Sequence, residues 1–238
     1  MKERPILFNA AMVNAIVEGR KTQTRRIVKT CRERGMQGPV VRGKQGEVAT
    51  IGFAATAGLC PYGQTGDRLW VRETWSGEHH MSGIKPSRRV DYPDDTNYMP
   101  ALPATWYWAD GEPELGDWER PRPSIHMPRW ASRITLEIVS VRVERLLSIS
   151  DEDAIAEGCY TNDEYSDMAG EADVWPCQIC DGYQVHEQGS LAGASEVDCH
   201  SCDSPKKRFN QLWQSINGFD SWDANPWVWV VEFRRVEQ

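Results

Sequence analysis

A basic segment at residues 19–26 has residue types that suit chemistry on a base or a phosphate. It reads Gly19-Arg20-Lys21-Thr22-Gln23-Thr24-Arg25-Arg26 and is too polar for a core. Lys21 and Thr24 lie three residues apart, so their side chains converge in a turn or a helix. A lysine amine beside a threonine hydroxyl can act as the base for a hydroxyl nucleophile. Arginines beside hydroxyls can bind a phosphate or the edge of a nucleobase. The alternative is a solvated loop in which Thr24 caps a turn.

Four cysteines form the second group of residues whose types and spacing suit chemistry. Their spacing is Cys177-x2-Cys180-x18-Cys199-x2-Cys202. Two Cys-x-x-Cys pairs at this distance predict a tetrahedral zinc site, and four thiolates leave no position for water, so the Zn²⁺ is expected to be structural. The alternative ligands for one position are His186 and His200, and a redox Cys-x-x-Cys pair is the alternative for the motif.

A strand and a helix are predicted to precede the basic segment, and a further strand to lie opposite it. Residues 6–8 are apolar, Asn9 suits a helix N-cap, and Gly19 suits the left-handed residue after the helix. Residues 69–75 predict a strand on which Arg72 and Glu73 point to opposite faces. A buried carboxylate at Glu73 needs a cationic partner, which the basic segment can supply. The alternative is an ordinary strand residue in a salt bridge.

The remaining pattern predicts two short helices and more strands. In residues 134–143, apolar and polar residues alternate, and the alternation changes phase in the middle, which indicates a bulge or a corner. Ser150 with Asp153 predicts a capping-box helix start, and residues 206–217 predict a second helix. Its apolar stripe comprises Phe209, Leu212, Trp213 and Ile216. Residues 105–109 and 227–233 predict further strands, and residues 30–58 predict a long loop with room for one strand.

The charge is distributed unevenly along the 238 residues. The net charge is −8, but residues 1–45 carry +8 and the remainder carries −16. A protein that coats long nucleic acid is normally basic overall, so this distribution favours a local grip on one nucleotide or a short strand. The alternative is a basic loop that balances an acidic body. Since no apolar run approaches ~20 residues and the N-terminus does not read as a signal peptide, we expect a cytoplasmic protein with no membrane partner.

The motif Gly19-x-Lys21-x-x-Thr24-x-Arg26, followed by a strand that begins at Gly66-Asp67, resembles the ASCH family. This family is a branch of the PUA-like β-barrels, and the resemblance covers residues 4–30, 60–75, 130–158 and 206–236. It implies an α+β fold with a PUA-like barrel and flanking helices. Residues 1–238 would then form a single domain with insertions at about 76–125 and 160–204, the second resembling a zinc ribbon. The chain is similar to larger ASCH proteins of bacteriophages and prophages, which implies a bacterial host cell.

The resemblance implies that RNA or a modified nucleoside binds in a cleft beside the basic segment. One small ASCH branch is an acetylcytidine amidohydrolase that uses a lysine, a threonine and a glutamate. These roles map onto Lys21, Thr24 and Glu73, which would hydrolyse an N-acylated base. The expected substrate-binding residues are Arg20, Arg25, Arg26 and Arg72. Because the chain is about twice as long as the small enzymes, three alternatives stay open: a non-catalytic reader of modified nucleic acid, a ribonuclease, and a phage protein that acts on a host protein.

Overall fold

The structure is a computed structural model. It describes residues 1–52, 54–91, 105–168, 177, 179–181, 183–190 and 193–236. Parts of the predicted insertions at 76–125 and 160–204 therefore lie outside the described residues.

The described residues form eleven strands and four α-helices. The strands are β1 (Glu3–Leu7), β2 (Gln23–Ile27), β3 (Val40–Arg42), β4 (Val48–Thr50), β5 (Arg68–Arg72), β6 (Trp75–Gly77), β7 (Thr105–Tyr107), β8 (Thr135–Arg145), β9 (Val185–Ser190), β10 (Gly193–Asp198) and β11 (Trp227–Val236). The helices are α1 (Ala10–Val17), α2 (Asp151–Ala156), α3 (Asn162–Asp167) and α4 (Pro205–Asn217).

Five strands form one mixed sheet in the order β1-β5-β8-β11-β2. β1 is parallel to β5, whereas β5 is antiparallel to β8 and β11 is antiparallel to β2. Three two-stranded sheets, β3–β4, β6–β7 and β9–β10, accompany it. The α+β class is thus confirmed. Closing a barrel would require the two end strands of the order, β1 and β2, to pair with each other. That pairing is not found among the described strands, so the predicted barrel closure is not confirmed.

The chain divides into two compact units. Unit 1 comprises residues 1–18, 65–139 and 233–238, and unit 2 comprises residues 19–64 and 140–232. The division falls within β8 and within β11. β8 is one continuous strand across the predicted change of phase, not two separate segments. The change coincides with the boundary between the units, where Ile138 is buried and Val139 is 48% exposed.

Unit 1 is built around α1 and a cluster of aromatic residues. The Asn9 side chain accepts a hydrogen bond from the Met12 amide at 2.9 Å, which confirms the predicted N-cap. Trp75 is fully buried and meets Trp130 edge to face, with ring centroids 5.8 Å apart. Met127 is also fully buried in this cluster. The aromatic residues therefore supply the packing that the poorly periodic segment around them lacks.

Unit 2 contains α2 and α4, and both helices begin within one residue of the predicted positions. Ser150 and Asp153 form the reciprocal hydrogen bonds of a capping box at the start of α2. On α4, three of the four residues in the predicted apolar stripe are buried, but Ile216 is 48% exposed. Ile216 lies in the last turn, one residue before the helix ends, so the core no longer covers it. A helix with the length and apolar composition to cross a bilayer is absent from the described residues.

Candidate functional site

The four cysteines of unit 2 form one buried group. Their Sγ atoms all lie within 4.8 Å of one another. The Cys177 and Cys199 sulfurs are 3.7 Å apart, and the Cys180 and Cys202 sulfurs are 3.6 Å apart. Zinc–thiolate bonds of about 2.3 Å in a tetrahedron place neighbouring sulfurs about 3.8 Å apart, whereas a disulfide requires about 2.05 Å. The group therefore has the size of a metal site, and none of these cysteines forms a disulfide.

Local backbone structure brings the two Cys-x-x-Cys pairs together. In the first pair, the Asp181 amide donates to the Cys177 carbonyl at 2.7 Å, and Asp181 takes a left-handed conformation with φ of 54°. The antiparallel hairpin of β9 and β10 then returns the chain to the second pair. The Cys199 amide donates to the Gln184 carbonyl at 2.7 Å, which joins the two ends of the hairpin. The hairpin thus positions the second pair beside the first.

The cysteine group is complete without a histidine ligand. The side chain of His200 is 84% exposed and lies 3.4 Å from Asp203, and His186 lies on β9 opposite Val197. Helix α4 contributes a contact that the sequence did not indicate: Gln211 Nε2 donates to Cys177 Sγ at 3.2 Å. Tyr165 of α3 packs against the cysteines and is 3% exposed. The cysteines are therefore part of a packed cluster that includes residues of two helices.

Lys21 lies in a buried ion pair. Gly19, with φ of 82°, ends the turn after α1, and the Lys21 side chain that follows is fully buried. Its ammonium donates to the Gln23 carbonyl at 2.8 Å, to the Glu157 carbonyl at 2.7 Å and to Glu157 Oε2 at 2.8 Å. Burial lowers the pKa of Lys21 from its usual value, and the Glu157 carboxylate opposes that change. Three acceptors match the three protons of the ammonium, so a role as base requires one of these hydrogen bonds to break.

Arg25 continues this ion-pair network. Its guanidinium, also fully buried, lies 2.9 Å from Asp153, 3.3 Å from Glu157 and 3.5 Å from Glu144. Arg142 joins the same carboxylates and contacts Glu144, Asp153 and Glu232. These partners are not apparent in the sequence, because more than 100 residues separate them from the basic segment. Lys21 and Arg25 are therefore neutralised within unit 2.

Thr24 and Arg26 lie on the other face of β2 from Arg25, because side chains alternate along a strand. Thr24 is 1% exposed and pairs with Val231 of β11. Arg26 is half-buried. Burial raises the pKa of Tyr62, and the nearby positive charge of Arg26 opposes this rise. Arg20 is held separately: its guanidinium donates to the Gly158 carbonyl at 2.6 Å and stacks on Tyr160.

Glu73 and Arg72 belong to unit 1, whereas Lys21 and Thr24 belong to unit 2. Glu73 is 1% exposed and accepts two hydrogen bonds from Arg133, at 3.0 and 2.9 Å. Its partner is therefore Arg133, whereas the sequence predicted a partner in the basic segment. Arg133 also pairs with Asp110 at 2.6 Å. Arg72 donates to the Met127 carbonyl at 3.0 Å.

Replacing Arg133 by methionine is expected to make stability depend on pH. Burial already raises the pKa of Glu73, against the hydrogen bonds and charge of Arg133, so removal of Arg133 will raise this pKa further. A carboxyl whose pKa is raised in the folded state stabilises the fold at low pH and loses that contribution as pH rises through the folded-state pKa. We expect the free energy of unfolding of the variant to be about 2 kcal/mol below that of the wild type near pH 7, and this difference to shrink towards about pH 5.

Urea unfolding between about pH 5 and pH 8 measures this effect. The double variant Arg133→Met/Glu73→Gln is the control, because its amide does not titrate in this range. A loss of stability in Arg133→Met that is the same at every pH would contradict the assignment of Glu73 as the titrating group.

No protein-family model, curated protein or solved structure matches the chain.

Proposed function

We propose that this protein binds RNA or a modified nucleoside through cations of unit 2, and that its four cysteines hold a structural Zn²⁺. The observation that carries the binding proposal is that the cations of unit 2 fall into a buried, ion-paired set and an exposed set. Lys21 and Arg25 are buried in ion pairs, whereas Lys29, Arg32, Arg34 and Lys44 are exposed. Residues 26–44 hold six cations and one carboxylate, Glu33. Such a stretch attracts a polyanion.

The backbone supports this proposal by closing a loop that carries two of these cations. Cys31 and Val40 exchange both of their backbone hydrogen bonds, each 3.0 Å long. Residues 32–39 therefore form a loop with its ends paired, and Arg32 and Arg34 extend from it. Arg26 and Tyr62 supply a guanidinium and an aromatic ring elsewhere in unit 2, and such groups can stack on an unpaired base. We propose the 32–39 loop, together with Lys44, as the phosphate contact.

The salt dependence of RNA binding tests this proposal. Each phosphate contact to a single strand adds about 0.7 to the slope of log affinity against log salt. The triple variant Arg32→Gln/Arg34→Gln/Lys44→Gln is therefore expected to reduce the slope by about 2. Fluorescence anisotropy with a short single-stranded RNA, at several salt concentrations, provides the measurement. Arg120→Gln removes an exposed cation outside this stretch and should leave the slope unchanged. Equal slopes for the triple variant and the wild type would reject the loop as the contact.

The zinc assignment is supported by the donor set and its dimensions. Four buried thiol groups with sulfur–sulfur distances of 3.6 and 3.7 Å suit tetrahedral coordination by soft ligands. When bound, zinc would cross-link the two Cys-x-x-Cys pairs. Because all four positions would be filled by cysteine, we assign it no part in catalysis.

We also propose a distant relationship to the ASCH branch of the PUA-like proteins. Its support is the order β1, α1, Gly19, β2, with the motif residues Lys21, Thr24 and Arg26 in and just before β2. The mixed sheet is compatible with this relationship.

Hydrolysis of an N-acylated cytidine-type base by Lys21 and Thr24 of unit 2 is the second candidate function. It is favoured by one observation: burial lowers the pKa of Lys21, and a general base must be unprotonated to accept a proton. Thr24→Val is expected to abolish release of acetate from N-acetylated cytidine, whereas Thr24→Ser should retain part of it because a hydroxyl remains. Absence of turnover in the wild type would reject the hydrolase and leave the binding proposal intact.

A further inference from the structure

Arg208 of α4 is a buried cation that lies against the cysteine group. It is 6% exposed, and its guanidinium lies 4.5 Å from the centre of the Tyr165 ring. Nη1 donates to the Cys202 carbonyl at 2.6 Å, and Nη2 donates to Asn162 Oδ1 at 2.7 Å and to the Tyr160 carbonyl at 3.0 Å. All three acceptors are neutral. Within the described part of the chain, Arg208 forms no salt bridge with a carboxylate, and its Nε has no hydrogen-bond partner.

The bound metal would supply the missing negative charge. A buried cation without a counter-charge is costly, so a fold that retains one normally provides compensation nearby. Four thiolates around one Zn²⁺ carry a net charge of −2, whereas four protonated cysteines carry none. Arg208 donates to the carbonyl of one of these cysteines and is therefore adjacent to that charge. Its burial is compensated when the metal is bound and uncompensated when the metal is absent.

Tyr160 connects Arg208 to the start of the basic segment. Its carbonyl accepts from Arg208, and its hydroxyl accepts from Arg20 Nη2 at 3.2 Å. The Arg20 guanidinium also lies 4.1 Å from the centre of the Tyr160 ring. Two residues further along, the Thr22 amide donates to the Ala156 carbonyl at 2.8 Å. The chain from Ala156 to Tyr160 is thus held by Arg208 on one side and by the basic segment on the other.

We propose that Arg208 is the counter-cation of the metal-thiolate group and that, through Tyr160, metal binding fixes the position of Arg20 and the amide of Thr22. The inference rests on the proposed zinc site but not on the proposed nucleic-acid function. If RNA does bind near the basic segment, its affinity would then depend on the metal.

Zinc affinity tests the first part of the proposal. Competition with a chromogenic chelator is measured for the wild type, Arg208→Met and Lys207→Met. Loss of an outer contact typically reduces metal affinity about 10–100-fold, and we expect this for Arg208→Met. Lys207 is the neighbouring cation of α4 and contacts Asp203 and the His200 carbonyl, so Lys207→Met should change affinity less than about 3-fold. If Arg208→Met does not fold, Arg208→Gln replaces it: the amide removes the charge but can still donate a hydrogen bond, so zinc affinity should again fall. Wild-type affinity in whichever variant is measured would overturn the role of Arg208.

Amide hydrogen exchange tests the connection to the basic segment. Removing zinc from the wild type is expected to speed exchange at Thr22, while β5 of unit 1 keeps its protection as an internal reference. Tyr160→Leu should speed exchange at Thr22 with zinc still bound. Unchanged exchange at Thr22 after zinc removal would overturn the coupling, and so would loss of protection in β5, since that indicates global unfolding. Metal content separates the two ideas: purified protein without zinc rejects the site itself, whereas zinc-loaded protein with an unresponsive Thr22 rejects the coupling alone.

Discussion

Replacing Cys199 by serine is expected to remove the metal and to lower the free energy of unfolding of unit 2 by about 4 kcal/mol. This is the stabilisation that a ligand provides when its free concentration is about 1,000 times its Kd. The effect should extend beyond the cysteines, because Gln211 of α4 contacts Cys177 and its neighbours on that helix are buried. Elemental analysis and urea unfolding at a fixed zinc concentration measure the two effects.

Cys31→Ser is the matched control for this experiment. Cys31 is a half-buried thiol outside the four-cysteine group. We expect one zinc per chain in the wild type and in Cys31→Ser, and much less than one in Cys199→Ser. A wild-type protein that contains no metal, or a Cys199→Ser protein as stable as the wild type, would refute the site.

Lys21→Met is expected to destabilise the protein by about 3 kcal/mol, because it leaves the Glu157 carboxylate buried without its closest cation. The side chains of Lys21 and Glu157 are 0% and 2% exposed, so water cannot replace the lost contact. Arg25 remains 3.3 Å from Glu157, which limits the loss. The double variant Lys21→Met/Glu157→Gln should recover most of the stability, because no charge is then left uncompensated between these two positions.

Urea unfolding of the single and double variants provides the measurement. Arg234→Met is the control: it breaks the ion pair with Glu137, but the Arg234 side chain is 69% exposed, so the change should be within about 0.5 kcal/mol. A Lys21→Met protein as stable as the wild type would show that the ion pair contributes nothing. Any loss of activity in a Lys21 variant has to be interpreted together with this measurement.

Local sequence patterns predicted the parts of the structure that depend on neighbouring residues. The Cys-x-x-Cys spacing identified the cysteine group because each pair forms within one turn of backbone. Asn9 and Ser150 identified helix starts because capping involves a hydrogen bond three residues along the chain. The α+β class, in contrast, was implied by the resemblance that the Gly19–Arg26 motif carries.

Tertiary partners were not predictable in this way. The composition of the basic segment suggested a solvated or ligand-binding surface, yet Glu157 and Asp153 neutralise Lys21 and Arg25 inside unit 2. Glu157 comes 136 residues after Lys21, and no pattern in either segment indicates the pairing. Similarly, nothing near Glu73 identifies Arg133 as its partner. Charge patterns show which residues need a partner, but the fold decides which one they receive.

The hairpin between the two Cys-x-x-Cys pairs has a consequence for how this region can evolve. Its ends are joined by the Cys199–Gln184 hydrogen bond and, in the proposed zinc form, by the metal as well. Once both ends are fixed, lengthening the connection costs little, since each doubling of a flexible loop adds only about 0.6 kcal/mol of closure entropy. Length changes between the two Cys-x-x-Cys pairs should therefore be tolerated among descendants of this gene. The same stretch of chain suits the insertion of an epitope or a fluorescent reporter.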